Sequence, residues 1–305
     1  MQKKVYSNDD EIRAFLADAE TWKRRADDMA ALFGCCSQLR HRGEKMTTCG
    51  TLITFAGDQS GAQLVGANFC RQRLCPVCQW RRSRMVFANL TDVWHRLEAD
   101  GYDMIHLVLT RKNVYPDRLS DEITSIFKAF SKLIKIKPTF SGWKGCLRFL
   151  EVTYNPQYKT YHPHLHVLIA VRPSYWTSRY YVTIDAVRTL WAVVGHLDYE
   201  PMVYVRRADP RGVLEVSKYC VKPMELKGID PSEELRIYQS LDLVLHGRRM
   251  IQSYGVIRDV IRELKFSDSL DDTPESEQDY SLEALKRIGD GWIKTYKWTP
   301  HGYVG

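Results

Sequence analysis

The chain has 305 residues, 44% of them hydrophobic, with 8 tryptophans and 17 tyrosines. That composition supports a sizeable core and excludes disorder as the default state. A net charge of +7 and a pI near 8.9 favour a polyanionic partner. No apolar run is long enough to cross a membrane, and MQKKVYSNDDEIRAF lacks the apolar core of a signal peptide, so a cytoplasmic protein without a membrane partner is expected.

Taken in chain order, the first signal is cysteine spacing. Eight cysteines without an export signal point to thiols or metal sites rather than disulfides. FCRQRLCPVC sets Cys70, Cys75 and Cys78 at C-x4-C-x2-C, and its C-P-x-C knuckle offers two thiolates on one tight turn. Structural Zn²⁺ suits such a site, because thiolates select zinc and four of them leave no open position. Cys49 in TTCG is the first choice for the fourth ligand, with Cys36 and Cys35 in reserve. Isolated Cys146 and Cys220 are expected to be buried, inert thiols.

Residues 80–99 place Val86, Leu90, Val93 and Leu97 on one stripe and predict a helix with Arg81, Arg82 and Arg84 at its start. MIHLVLT then predicts a strand ending at Thr110. A helix over 121–135 follows, with Ser120 as N-cap and Ile123, Ile126, Phe127 and Phe130 inward.

The stretch LRFLEVTYNPQYKTYHPHLHVLIAV, residues 147–171, predicts a hairpin. Period-two alternation puts His162, His164 and His166 on one face and Leu165, Val167 and Ile169 on the other. Asn155 and Pro156 form the turn. With its centre near Gln157 and Tyr158, Glu151 stands opposite His164, about 5 Å away between Cβ atoms. A carboxylate and two imidazoles there make a partial metal site.

TIDAVRTLWAVVG then reads as a helix and YEPMVYVRR as a strand. Its Arg206 and Arg207, together with the basic segment around Arg81, Arg82 and Arg84, are candidate phosphate contacts. GVLEVSKYCVKP predicts a short helix bounded by Gly212 and Pro223, on which Glu215, Tyr219 and Lys222 share a face. A phenol with a base one turn away can act as a nucleophile, and Lys222 can hold phosphates or lower the phenol's pKa. DSLDDTPESEQD reads as a solvated acidic linker. LEALKRIGDGWIKTYKWTPHGYVG reads as a short helix and an aromatic-basic tail that docks on the protein or touches DNA, with docking the favoured reading. The sum is an α+β fold: a central, mainly antiparallel sheet with flanking helices, plus an N-terminal Cys-rich zinc-binding element.

HLVLT, HPHLHVLIAV and EVSKYCVK occur in the order found in the rolling-circle replication initiators of small Gram-positive plasmids, within the HUH endonucleases. The chain resembles this family over residues 45–260, including the Cys-rich segment FCRQRLCPVCQWRRS. His106 and Val108 depart from it, standing where an aromatic and a Thr are usual, and His106 as an extra ligand is a minor reading. The expected regions are an N-terminal helical and zinc-binding region over 1–100, an HUH nuclease core over 101–225, and a C-terminal helical extension with an acidic and aromatic tail over 226–305. The resemblance implies that His164 and His166 bind Mg²⁺ or Mn²⁺, with Glu151 inferred as third ligand and His162 assisting or touching DNA. Tyr219 would nick plasmid origin DNA, at a hairpin or single-stranded site, through a 5′-phosphotyrosine link. Glu215 would activate water for termination, and the host helicase and polymerase are the expected partners. An HUH transposase or relaxase shares this chemistry. A non-catalytic zinc-dependent DNA-binding regulator would leave the His hairpin unexplained, and a small-molecule hydrolase would leave the basic excess idle.

Overall fold

A computed structural model describes residues 5–208, 226, 228–266 and 291–305. The helix expected between Gly212 and Pro223, with Glu215, Tyr219, Cys220 and Lys222, lies outside the described residues, as does the acidic linker. The described residues form two compact units, one from 1–82, 227–242 and 273–305, the other from 83–226 and 243–272. The C-terminal tail groups with the N-terminal segment. No helix among the described residues is long and apolar enough to cross a membrane.

The first unit begins with β1 (Val5–Tyr6), α1 (Asp9–Gly34), α2 (Arg40–Thr47), β2 (Leu52–Asp58) and β3 (Gly61–Ala67). Asn8 caps α1 by accepting the Glu11 N–H at 2.9 Å, and the Glu11 carboxylate accepts the Ser7 N–H at 2.8 Å. The antiparallel sheet runs β1-β3-β2-β9-β10, where β9 (Trp292–Thr299) and β10 (Gly302–Val304) are the last residues of the chain. The tail thus docks as expected, but as a hairpin whose first strand pairs with β2. Tyr6, Phe15, Phe55 and Trp80 meet beneath this sheet with ring centroids 5.1–5.6 Å apart. The expectation of a helical and zinc-binding N-terminal region did not include this sheet.

Helix α3 (Pro76–Ala99) starts at Pro76, four residues before the expected start, so the Cys78 thiol sits on its first turn. Its Val86, Leu90, Val93 and Leu97 are buried as the stripe predicted.

The second unit holds β4 (Asp103–Thr110), α4 (Pro116–Leu133), α5 (Lys137–Gly142), β5 (Trp143–Asn155), β6 (Thr160–Val171), α6 (Ile184–Gly195) and β7 (Val203–Arg207). After α7 (Pro231–Leu245), divided between the units, come β8 (Ile251–Gly255) and α8 (Val256–Glu263). The antiparallel order is β7-β4-β6-β5-β8, with β6 at the centre. Helix α4 begins five residues before the expected N-terminus. Pro116, with its fixed φ and missing N–H, occupies the first turn, and Ser120 instead accepts the Arg248 guanidinium at 2.9 Å.

The β5–β6 turn is set by Asn155, whose Oδ1 accepts the N–H groups of Gln157 and Tyr158 at 3.0 and 3.2 Å. Asn155 pairs with Thr160, and the register carries Glu151 opposite His164. On the other face Leu165, Val167 and Ile169 are fully buried, each contributing about 1.5–3 kcal/mol. Helix α4 covers this apolar face: Arg148, opposite Val167, stacks at 3.7 Å on the half-buried Phe127, and Phe130 meets Tyr254. The histidines are left on the face that α4 does not cover.

Candidate metal centres

Two groups among the described residues bring three or more His, Cys, Asp or Glu donor atoms within 4.8 Å of one another. The first comprises Cys49, Cys70, Cys75 and Cys78, with Sγ separations of 3.5 Å for Cys49–Cys78, 3.6 Å for Cys70–Cys78 and 3.6 Å for Cys75–Cys49. Sulfurs about 2.3 Å from a tetrahedral ion stand about 3.8 Å apart, so the donor set fits zinc without rearrangement. Cys35 and Cys36 are not in the cluster. Backbone N–H groups of Cys70 and Arg71 point at the sulfurs of Cys49 and Cys78, at 3.3 and 3.2 Å, and Arg71 adopts a left-handed φ of 58° to do so. Hydrogen bonds from Cys49, Cys70 and Cys75 hold the Cys78 thiol well below its ordinary pKa, while those with Cys70, Cys75 and Cys78 push Cys49 up. The tail supports this cluster: the Tyr303 hydroxyl donates to Gly50 O at 2.5 Å, next to Cys49.

In the second cluster Glu151 Oε2 lies 2.8 Å from His164 Nε2 and 2.9 Å from His166 Nε2. Donors on neighbouring octahedral positions about 2.1 Å from an ion stand about 3 Å apart, so these three atoms also fit one ion. The side chains of Glu151, His164 and His166 retain 15%, 11% and 7% exposure, enough to shield the site but not to seal it. Burial alone would raise the Glu151 carboxyl, but the two imidazole hydrogen bonds outweigh it and bring the pKa to about 2. His162 stacks on His164 with centroids 5.1 Å apart, and burial lowers its pKa.

His106 is not part of this donor set. Its Nε2 lies 3.1 Å from His166 Nδ1, on the nitrogen facing away from Glu151, so it backs His166. Arg206, expected as a phosphate contact, reaches His106 Nδ1 at 3.4 Å. Neither contact was legible from spacing, because the first depends on the pairing of β4 with β6 and the second on the pairing of β7 with β4.

The other arginines differ in surroundings. Arg84 is exposed, Arg81 is half-buried over the Phe69 ring, and Arg207 pairs with Asp103 at 2.9 Å. Arg82 is buried at 9% exposure. Of two further tyrosines, Tyr154 lies on the face opposite Glu151 and packs on Tyr161, whereas the exposed Tyr204 shares the histidine face through Val108.

With this geometry in place, comparison with known proteins is informative. The family described as replication protein (Rep_1) matches residues 61–304. The chain belongs to the Rep replication protein family. Similar members include a Protein rep of Bacillus sp, 33% identical over 255 residues, covering 75% of this chain and 83% of that protein. A Protein rep of Bacillus amyloliquefaciens is 30% identical over 278 residues, covering 81% and 82%. One of Staphylococcus aureus is 37% identical over 194 residues, covering 60% and 85%. No solved structure matches the chain. Membership of the Rep family makes this chain a plasmid replication initiator. The matched stretch contains the whole Glu151–His164–His166 cluster and three of the four clustered cysteines.

Proposed function

We propose that the chain nicks and rejoins plasmid origin DNA to start and end rolling-circle replication, with an HUH endonuclease core. The observation that carries this reading is the convergence of Glu151, His164 and His166 on the central sheet of a Rep-family chain. A divalent ion, Mg²⁺ or Mn²⁺, held by these three residues supplies Lewis-acid polarisation of the scissile phosphate. Two imidazoles and one carboxylate favour Mn²⁺ over Mg²⁺ in affinity, so availability sets the working ion.

The chain's own groups divide the remaining work. Tyr219 Oη forms the bond to phosphorus, the bond to the 3′-oxygen breaks, and that oxygen leaves as a 3′-OH on taking up a proton. The 5′-phosphate stays on the tyrosine, conserving the bond for religation. The cation of Lys222 offsets phosphate charge. Glu215 serves as general base for a water that ends the reaction, since water, with a pKa near 15.7, needs more help than a phenol near 10. Arg81, Arg84, Arg206 and Arg207 are available for phosphate contacts; the host helicase and polymerase would act on the primed strand. The four cysteines hold Zn²⁺ as a structural ion.

Supercoiled origin plasmid incubated with the protein and Mn²⁺ tests the reading. Wild type should give relaxed circles carrying protein on the 5′ end, His164→Ala and Tyr219→Phe none. With a polymerase, a helicase and nucleotides added, Glu215→Ala should nick but accumulate products longer than one plasmid length. Nicking by Tyr219→Phe would move the nucleophile to Tyr204.

A further inference from the structure

The loop joining β6 to α6, residues 172–183, reads RPSYWTSRYYVT and lies at the end of the central sheet remote from the Glu151–His164–His166 cluster. From His164 to Val171, where β6 ends, the strand rises about 23 Å. A 3₁₀ turn over Pro173–Thr177 buries Tyr175, whose hydroxyl accepts the Val182 N–H at 3.1 Å and the Trp143 Nε1–H at 3.4 Å. Ser178 Oγ donates to Tyr175 O at 3.0 Å and accepts the Tyr180 N–H at 3.2 Å. These contacts fix the path of the loop, yet Tyr180 and Tyr181 stay 39% and 46% exposed.

Guanidinium groups are interleaved with the rings. Arg172 lies 3.8 Å from the Tyr102 ring centroid, Arg179 5.0 Å from that of Tyr180 and Arg207 5.7 Å from that of Trp176. Tyr181 in turn meets Trp176 at 6.3 Å and Tyr175 at 5.5 Å. The Asp103 carboxylate is shared, accepting the Trp176 Nε1–H at 2.8 Å and pairing with Arg207 at 2.9 Å. Arg172 donates to the carbonyl oxygens of Asp100 and Gly101 and to the Tyr102 hydroxyl, and Arg179 donates to the Tyr180 hydroxyl. Among the described residues neither of these two arginines pairs with a carboxylate, so positive charge is left on the surface. Register puts Asp103 and Arg207 on the face opposite the histidines, because Asp103 pairs with Val171, and Arg207 with Ile105, which pairs with Ile169.

Exposed rings beside unneutralised guanidiniums fit a polyanion whose bases are open. Duplex DNA offers phosphates to the cations but keeps its bases stacked on one another, away from the rings. A single strand offers both, and a base stacks on an aromatic side chain without regard to sequence. A protein contact fits less well, since its buried centre is depleted of charge, whereas Tyr102, Tyr180 and Trp176 each have a guanidinium beside them. We propose that this loop and the adjoining strand ends bind single-stranded DNA, with bases on Tyr180, Tyr181 and Trp176 and phosphates on Arg172, Arg179 and Arg207, at a site separate from the ion cluster. This deepens the proposed function, because nicking frees such a strand, and rests on the chain's role in plasmid replication rather than on the nicking chemistry.

The test is the affinity of the full chain carrying Tyr219→Phe for a fluorescent oligothymidylate of about 12 nucleotides, read by anisotropy. The oligonucleotide holds no origin sequence, so binding is read apart from nicking. Melting curves confirm that each further variant is folded, and leucine replaces alanine where an alanine variant is not. Changing Tyr180 and Tyr181 together to Ala should weaken binding about 10-fold or more, while changing both to Phe, which keeps the rings, should stay within about 2-fold of the parent. Arg172→Gln with Arg179→Gln should flatten the slope of log affinity against log salt by about 1.4, at about 0.7 for each phosphate contact. Binding to a blunt duplex should not respond to the tyrosine variants. Parent affinity for the oligonucleotide in the double alanine variant would overturn the proposal. Equal losses for duplex and single strand would also overturn it, making the surface a duplex contact. Unchanged oligonucleotide binding with slower helicase-driven unwinding of nicked plasmid would give the surface to a protein instead. A wild-type chain that never nicks its origin but shows the expected losses would keep this surface and discard the nicking reading.

Discussion

Cys49, Cys70, Cys75 and Cys78 come from three chain segments: the turn after α2, the loop after β3 and the first turn of α3. Glu151, His164 and His166 come from one hairpin whose register alone brings them together. The thiols form a set of four, with Cys49, Cys75 and Cys78 at 1%, 0% and 5% exposure, and leave no position for a substrate. The carboxylate and imidazoles form a set of three on a prebuilt sheet. An ion in the first site would cross-link three chain segments, whereas one in the second would add charge to a hairpin whose register already holds its donors together.

The sharpest way to break this comparison is to remove one donor from each site. Cys75→Ser should destabilise the first unit by several kcal/mol, lowering the melting temperature by about 10 °C or more. His164→Ala should leave the melting temperature nearly unchanged while abolishing nicking. Melting curves together with a nicking assay check both, and equal thermal losses would erase the distinction. Elemental analysis should find about one zinc per chain in wild type and none in Cys75→Ser.

A smaller effect sharpens the account of what holds the thiol site. Deleting residues 292–305 removes β9 from the edge of β2 and the Tyr303 hydrogen bond to Gly50. The truncated chain should lose zinc to a chelator faster than wild type. Unchanged zinc release would mean that the tail only covers the sheet edge.

The smallest effect concerns pH. Without an ion, Glu151 has its pKa lowered from 4.5 to about 2, so the stability it adds is fully present above pH 4.5 and is lost as pH falls toward 2. Glu151→Gln should therefore flatten the metal-free stability profile over that window, by at most a few kcal/mol. Denaturant unfolding at several pH values measures it.

The sequence made the second cluster more legible than the first unit. A strand has period two, so fixing the turn at Asn155 fixed which side chain faced which, and Glu151 opposite His164 followed. The β2–β9 pairing joins residues some 240 positions apart, and local pattern carries no term for such closure. Both Cys49 and Cys36 were close enough in the chain to serve; only the path through β2 and β3 selects Cys49. The start of α4 was misplaced because Ser120 is a good cap in isolation, but Pro116 is a better first-turn residue. Arg206 looked like a surface cation because its contact with His106 exists only once β7 pairs with β4.

The central claim, covalent nicking by a tyrosine assisted by the Glu151–His164–His166 site, is tested most directly by mass spectrometry of the protein–DNA linkage. Origin DNA nicked in the presence of Mn²⁺ is trimmed with nuclease and the protein is digested with protease. The account predicts a nucleotide on the peptide containing Tyr219, absent when His164→Ala is used. A nucleotide on another residue, or nicked DNA with a free 5′ end and no modified peptide, would contradict it.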